Sequence, residues 1–200
     1  FNFQRALDTF DALALLKYAP LCALLQQMFT VGILCLIKRV VAGNSGYEGV
    51  VKIDSYEYLR RFVAQYTMRM LMTGPSRGLT ETVFMRFTLR YGMGLDVGEG
   101  SEIDVSNWGP KPELVKVGKH CMINGGALLG IAPIFCGQML LEKTRLHKKT
   151  FLGNMSVVPQ GSILSENSLL GVMSVSPKNM EAGSAYLGSP SFKLPSRQMW

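Results

Sequence analysis

The chain has 200 residues, 48% of them hydrophobic, which is enough to bury a core as one domain or as one domain with an appendage. A formal net charge of +7 and a pI near 9.3 favour an anionic neighbour, but the Lys and Arg are scattered and no nucleic-acid-binding motif appears, which argues against DNA or RNA. The four cysteines, at 22, 35, 121 and 136, form no CxxC and no close pair, so neither a metal site nor a disulfide framework is indicated, and reduced thiols in a cytosol-facing protein are expected.

The chain opens on Phe1 rather than Met, so a longer polypeptide is expected. Residues 1–18 carry Asp8, Asp11 and Lys17 and read as a lead-in helix. From Leu13 to Ile37 the sequence is apolar apart from Lys17, Gln26 and Gln27, and Lys38-Arg39 close it. The uncharged run from Pro20 to Ile37, 18 residues long, reaches the lower range for a membrane span, although two adjacent glutamines are costly in hydrocarbon and a buried or surface helix is the alternative. If it spans, the basic flank places everything after it in the cytoplasm. Residues 1–42 are therefore read as an apolar helical, transmembrane segment.

Residues 43–94 are read as amphipathic linker helices. Gly43 to Gly49 is a flexible break, and Asp54 with Glu57 resembles a capping box. Leu59, Phe62, Val63, Tyr66 and Met70 then form an apolar helical stripe with Arg60, Arg61 and Arg69 off it. A second helix is expected from about Thr80 to Tyr91, with Val83, Phe84, Phe87 and Tyr91 on one side and Arg86 and Arg90 nearby. Such helices either lie on anionic lipid, through Arg60, Arg61, Arg86 and Arg90, or cap the open end of a β-helix.

A six-residue repeat is expected over 95–178. Large aliphatics fall at Leu146, Leu152, Val158, Leu164 and Leu170, and a small residue comes four places after each: Thr150, Ser156, Ser162, Ser168 and Ser174. Hexapeptide self-similarity is the signature of a parallel β-helix, with one large and one small side chain filling each flat side and polar residues making the corners. The pattern begins near Val97, breaks at Trp108 to Pro112, returns at Val117 and Ile123, and lapses from Ile131 to Lys143, giving about four coils with two outward loops. Residues 179–200 are read as a tail that departs from the repeat.

These hexads resemble the hexapeptide-repeat acyltransferases, and the resemblance implies a left-handed parallel β-helix. Gly188-Ser189-Pro190-Ser191 is similar to the segment that closes many such enzymes. The order of an apolar span ending Lys38-Arg39, a Ser55-Tyr56 to Arg60-Arg61 helix, Leu89-Arg90 before the first Val-Gly hexad and Val117-Gly118 to Ala127 resembles the C-terminal region of nonribosomal-peptide-synthetase-like proteins typified by ε-poly-lysine synthetase. That resemblance implies acyl or aminoacyl transfer from a phosphopantetheine or CoA thioester to an amine at the cytoplasmic membrane face. Partners would be a carrier domain or CoA-linked donor and membrane lipid, with trimeric or tandem packing.

A histidine general base is expected in this chemistry. The chain has two, His120 and His147, both at coil corners. Asn124, Gly125 and Gly126, with Ala127, offer backbone N–H groups for an oxyanion or cofactor, and Lys148 and Lys149 offer charge for a phosphate. Cys136, in the second loop, has no adjacent histidine to activate it, and no metal site is expected from two histidines. Where the synthetase pattern leads us to expect a Thr-His pair, the chain reads Gly130-Ile131-Ala132, so a catalytically inactive β-helix scaffold or docking module is the alternative.

Overall fold

Three faces of short parallel strands carry this mainly β chain, with helices packed at their N-terminal end. The computed structural model describes residues 12–43, 48–79 and 82–195, so the expected lead-in helix up to residue 11, most of the glycine break, Thr80, Glu81 and the last five residues of the tail lie outside it. The β-helix is built from the repeat itself. On the first face, β2 (Asp96–Val97), β4 (Val115–Val117), β8 (Thr144–Leu146), β11 (Ile163–Leu164) and β13 (Asn179–Met180) pair in parallel, placing Val97, Val117, Leu146, Leu164 and Met180 in one column. On the second, the start of β3 (Glu102–Trp108) and of β5 (Met122–Ile131) stack with β9 (Phe151–Leu152), β12 (Leu169–Leu170) and β14 (Ala185–Gly188). The third joins the ends of β3 and β5 to β10 (Val157–Pro159) and, by a single bridge, to Val175.

The inward columns are almost entirely excluded from water, and Leu152, Val158, Leu164 and Leu170 are each at 0% exposure. Each such side chain contributes roughly 1.5–3 kcal/mol of burial. The small residues are buried beside them for a separate reason. Buried hydroxyls usually find an acceptor: Thr150 Oγ1 donates to the His147 carbonyl at 2.8 Å and Ser168 Oγ to Ser165 at 2.7 Å, each reaching three residues back to its own corner. Ser156 Oγ, by contrast, is buried with no hydrogen-bond partner among the described residues.

The repeat extends further than its sequence pattern. Residues 179–188, expected to depart from it, form two more faces, with Met180 and Tyr186 inward and Ser184 in the small position. The spacing from Ser176 to Met180 is four residues instead of six, because Val157 pairs with Val175 and Leu164 with Met180. This phase slip hid the last coil. β14 then turns back at Gly188 into the antiparallel strand β15 (Ser191–Lys193).

The two interruptions differ from each other. Trp108 to Lys111 is buried rather than thrown outward, with Trp108 inside the core. Residues 132–143 do leave the coil, as the antiparallel hairpin β6 (Ile134–Phe135) and β7 (Gln138–Leu141), and β1 (Gly49–Lys52) pairs with β7 to complete a three-stranded sheet. Gly49 thus begins a strand at the end of the expected flexible break.

The helix α1 (Ala12–Ile37) ends in a π-helical turn over Lys38–Ala42, and it is long and apolar enough to cross a membrane. Leu24, Leu25, Phe29, Ile33 and Leu36 are exposed on it, whereas Val31 is buried and Leu34 packs against the core. α2 (Tyr56–Thr73) is capped by Ser55, whose hydroxyl accepts the Tyr58 N–H at 3.2 Å, and not by Asp54. Glu57 turns to Arg60 and Arg61 instead of closing a capping box.

α2 docks on β3 through Ala64, Thr67, Met68, Leu71 and Met72, so its apolar stripe of Leu59, Phe62, Tyr66 and Met70 faces outward. α3 (Val83–Phe87) continues as a π-helical turn over Thr88–Gly92 and caps the first coil with Met85 and Leu89. Its outer side likewise exposes Val83, Phe87 and Tyr91.

Three cations are buried where α1 meets α2 and the loop before β4. Lys38, Arg61 and Lys111 are each at 1% exposure or less. Lys38 Nζ meets Glu113 at 2.5 Å, and Arg61 Nε donates to Glu57 at 2.8 Å. Arg61 is therefore not a lipid-facing arginine, and of the Lys38-Arg39 flank only Arg39 is exposed. Burial, aided by the neighbouring Arg61 charge, pushes the Lys111 amine below its ordinary value.

Candidate functional site

One corner of the prism, between the first and second faces, gathers most of the candidate chemistry. Gly100, His120, Lys149, Asn167 and Gly183 occupy the same turn position in successive coils, all with φ between 55° and 69°. A hydrogen-bond ladder ties them vertically: His120 N–H donates to Glu99, Lys149 N–H to Lys119, and Asn167 N–H to Lys148, each at 3.0 Å. One residue earlier the corner carries a column of charge, two lysines flanked by two glutamates, with Lys119 on Glu99 at 3.1 Å and Lys148 on Glu166 at 3.0 Å.

His120 is exposed and its ring lies against the α-carbon of Gly100, where an added Cβ would come 2.5 Å from Nδ1. A side chain at position 100 would displace that ring, and the φ of 69° favours glycine as well. His147 is exposed at the corner of the next coil, and its carbonyl accepts from Cys121 Sγ at 3.0 Å and from Thr150. Cys121 is buried, and burial pushes its thiol up despite the hydrogen bonds it receives.

Beside this corner, α3 and its π-helical turn stand off from the first coil and leave a cleft. It comprises two adjoining cavities of about 190 and 310 Å³ that share Val83 and Arg86. The first runs on to Gly100, Ser101 and Glu102; the second reaches Arg90, Phe87, Val97 and Glu99. His120 lines neither cavity; its ring packs behind Gly100, a residue of the cleft wall. Ser101 is committed elsewhere, since its hydroxyl donates to Gly118 at 2.8 Å and accepts the Cys121 N–H at 3.0 Å. The Lys119 hydrogen bond and charge, followed by Arg86 and Arg90, hold the Glu99 carboxyl below the ordinary value.

The remaining expected residues are not all gathered here. Lys148 and Lys149 share the His120 corner, with Lys148 paired to Glu166. Asn124, Gly125 and Gly126 lie across the second face at the opposite corner, where Met155 stacks on Gly126 and Asp104 sits beside Gly125. Cys136 is exposed at the tip of the β6–β7 hairpin, with φ 48°. No three His, Cys, Asp or Glu side chains converge as a metal site among the described residues. Glu99 and Glu102 are the cleft residues that sequence reasoning passed over. Their signal was position alone, immediately after a helix whose arginines are one turn apart.

No family model matches the chain. Over 153 residues, 75% of its length, it is 32% identical to delta-poly-L-ornithine synthetase of Acinetobacter baumannii strain AB307-0294, of which it spans 11%. Among solved structures, a hexapeptide-repeat acetyltransferase of Vibrio cholerae O1 biovar eltor, complexed with acetyl coenzyme A, aligns with TM-score 0.49 and 13% identity over 72% of this chain and 91% of that one. A maltose O-acetyltransferase from Clostridium difficile 630 aligns with TM-score 0.46 and 13% identity over 82% and 98%. With its hexads stacked strand on strand, the chain is a hexapeptide-repeat β-helix segment that resembles, over three quarters of its own length, a small part of that synthetase.

Proposed function

We propose that this chain transfers an acyl or aminoacyl group from a phosphopantetheine or CoA thioester to an amine at the cytoplasmic face of a membrane. The observation that carries the reading is the cleft beside the first coil, with Arg86 and Arg90 in its wall and the His120 imidazole packed behind Gly100, another wall residue. His120 takes a proton from the attacking amine as nitrogen bonds to the thioester carbon; the C–S bond then breaks, an amide forms and the thiol departs with a proton. The relative's name, an ornithine polymer synthetase, supports an amino-acid amine as acceptor. Membrane attachment is supported by the exposed apolar side of α1 and the outward stripes of α2 and α3. The left-handed winding implied by the family resemblance, a carrier-domain partner and trimeric or tandem packing go with the same reading.

The test is transfer from a loaded phosphopantetheine thioester to a panel of amines in detergent, comparing wild type with His120→Ala and His147→Ala. Loss in His120→Ala, with the fold intact by circular dichroism, is expected at about 10²–10⁴-fold. Equal activity in all three proteins refutes the assignment of the base.

A second reading is a non-catalytic docking module. It is favoured by the opposite corner, where Met155, Val172 and Met173 form an exposed apolar ridge in place of polar corner residues. Carrier binding that survives in both histidine variants, with no transfer in any of the three proteins, would select it.

A further inference from the structure

We infer that Arg86 and Arg90 form the phosphate-binding end of a pantetheine channel, a role that rests on the thioester-transfer reading and names where its donor is gripped. The two side chains lie four residues apart on the α3 turn region and line adjoining parts of one cleft. No carboxylate forms an ion pair with either among the described residues; Glu99, which feels both charges, is held by Lys119. Two guanidinium groups in the wall of one cavity supply the positive charge and donor forks that suit a phosphate ester.

The rest of the wall fits the remainder of a pantetheine arm beyond its phosphate. Val83, Phe87 and Val97 provide an apolar lining for its gem-dimethyl segment. Past Arg86 the cleft continues to Gly100, Ser101 and Glu102, so the thioester end would reach the stretch of wall behind which the His120 ring packs. The lysines expected from sequence to take the phosphate suit it less well. Lys148 is paired with Glu166, and Lys148 and Lys149 line neither cavity of the cleft. A phospholipid headgroup offers the same phosphate chemistry, and Phe87 and Tyr91, stacked 5.8 Å apart and exposed, would lie along its acyl chains.

The experiment is titration calorimetry of the whole chain in detergent with 4′-phosphopantetheine and with pantetheine, which lacks the phosphate. Wild type should bind the phosphorylated probe about tenfold more tightly or better. Arg86→Ala with Arg90→Ala should erase that difference and leave pantetheine binding unchanged, whereas paired Lys substitutions should retain part of it. Equal binding of the two probes by wild type, no binding of either, or a difference that persists in the Ala pair overturns the proposal. So does a difference that disappears in Lys148→Ala with Lys149→Ala instead. Bilayer nanodiscs of phosphatidylglycerol and of phosphatidylcholine form the other arm. If the Ala pair loses only its preference for the anionic bilayer, the phosphate belongs to lipid and the donor site is refuted. The binding readout needs no turnover, so an intact phosphate preference in a protein that transfers nothing would refute the transfer reading and leave this site standing.

Discussion

The ion pair between Lys38 and Glu113 should behave as a buried lock rather than a surface contact. Their side chains are 0% and 6% exposed, and the second Glu113 oxygen has no hydrogen-bond partner. Around them three cations, Lys38, Arg61 and Lys111, face two carboxylates, Glu57 and Glu113, among the described residues. Glu113→Gln keeps the shape and removes one of the two negative charges. Stripping a buried pair of one partner costs about 3–5 kcal/mol, where an exposed pair contributes about 0–1 kcal/mol. For a chain of this size each kcal/mol moves Tm by roughly 2–4 °C, so the melting point should fall by roughly 6–20 °C. The assay is thermal unfolding in detergent, followed by circular dichroism. The double substitution Lys38→Met with Glu113→Leu, which removes both charges, should recover most of the loss. A Glu113→Gln protein that melts within about 2 °C of wild type would show that water reaches the pair, and the account of a buried lock would be wrong.

Further expectations rest on other parts of the fold. Leu164 is fully buried in the first inward column, so Leu164→Ala should cost about 2–5 kcal/mol in urea unfolding; a loss below about 1 kcal/mol would mean that the coils collapse around the gap. At Gly118 an added Cβ would come 2.7 Å from the His147 carbonyl carbon, so Gly118→Ala should destabilise by about 1–3 kcal/mol; unchanged stability would contradict the close coil-to-coil approach there. Iodoacetamide at neutral pH should label exposed Cys136 and spare Cys121, whose thiol burial pushes up, as read by mass spectrometry of the native protein; rapid labelling of Cys121 would mean that the corner opens. Burial alone would raise the Glu57 carboxyl, but the Arg61 hydrogen bond and the charges of Arg61, Arg60 and Lys111 outweigh it and hold the group below its ordinary, unfolded-state pKa. Its stabilising contribution is then complete above that pH and lost as pH falls through the folded value. Wild type should lose stability on acidification more steeply than Glu57→Gln, and parallel acid titrations of the two would refute the pairing.

The coils were legible because one large and one small inward residue per six is a strict demand of a narrow triangular core. Leu146 to Ser174 meet it without a gap. The last coil was not legible, because the turn after Ser176 is two residues shorter and takes Met180 and Tyr186 out of phase with the count. The hairpin partner β1 was hidden for a different reason: Gly49–Lys52 is four residues long and pairs with a segment about ninety positions away, which local pattern does not encode. The site was half legible. Both histidines were identifiable as corner residues, but Asn124 to Gly126 and His120 fall at opposite ends of the second face, a separation visible only once the hexads are assigned to faces. Glu99 and Glu102 carried no motif at all, and they line the cleft only because α3 happens to settle on the first coil.

The two amphipathic helices show where periodicity stops being informative. Their apolar stripes were correctly spaced, yet a stripe says only that one side prefers to leave water; it does not say what covers that side. In α2 the packed side holds Ala64, Thr67, Met68 and Leu71 together with Arg61, while Leu59, Phe62, Tyr66 and Met70 remain outside. In α3 the packed side is Met85 and Leu89, and Val83, Phe87 and Tyr91 remain outside. Apolar side chains therefore lie on both sides of each helix, where the usual arrangement confines them to the core side, and in α2 one charge, Arg61, is buried with them. Charge can stay inside here because Glu57 and Glu113 balance most of it. The outward stripes, on the same chain as a span-length helix with an exposed apolar side, support a lipid or protein surface as their cover. If that cover is lipid, the Arg86–Arg90 cleft opens beside Phe87 at the bilayer edge.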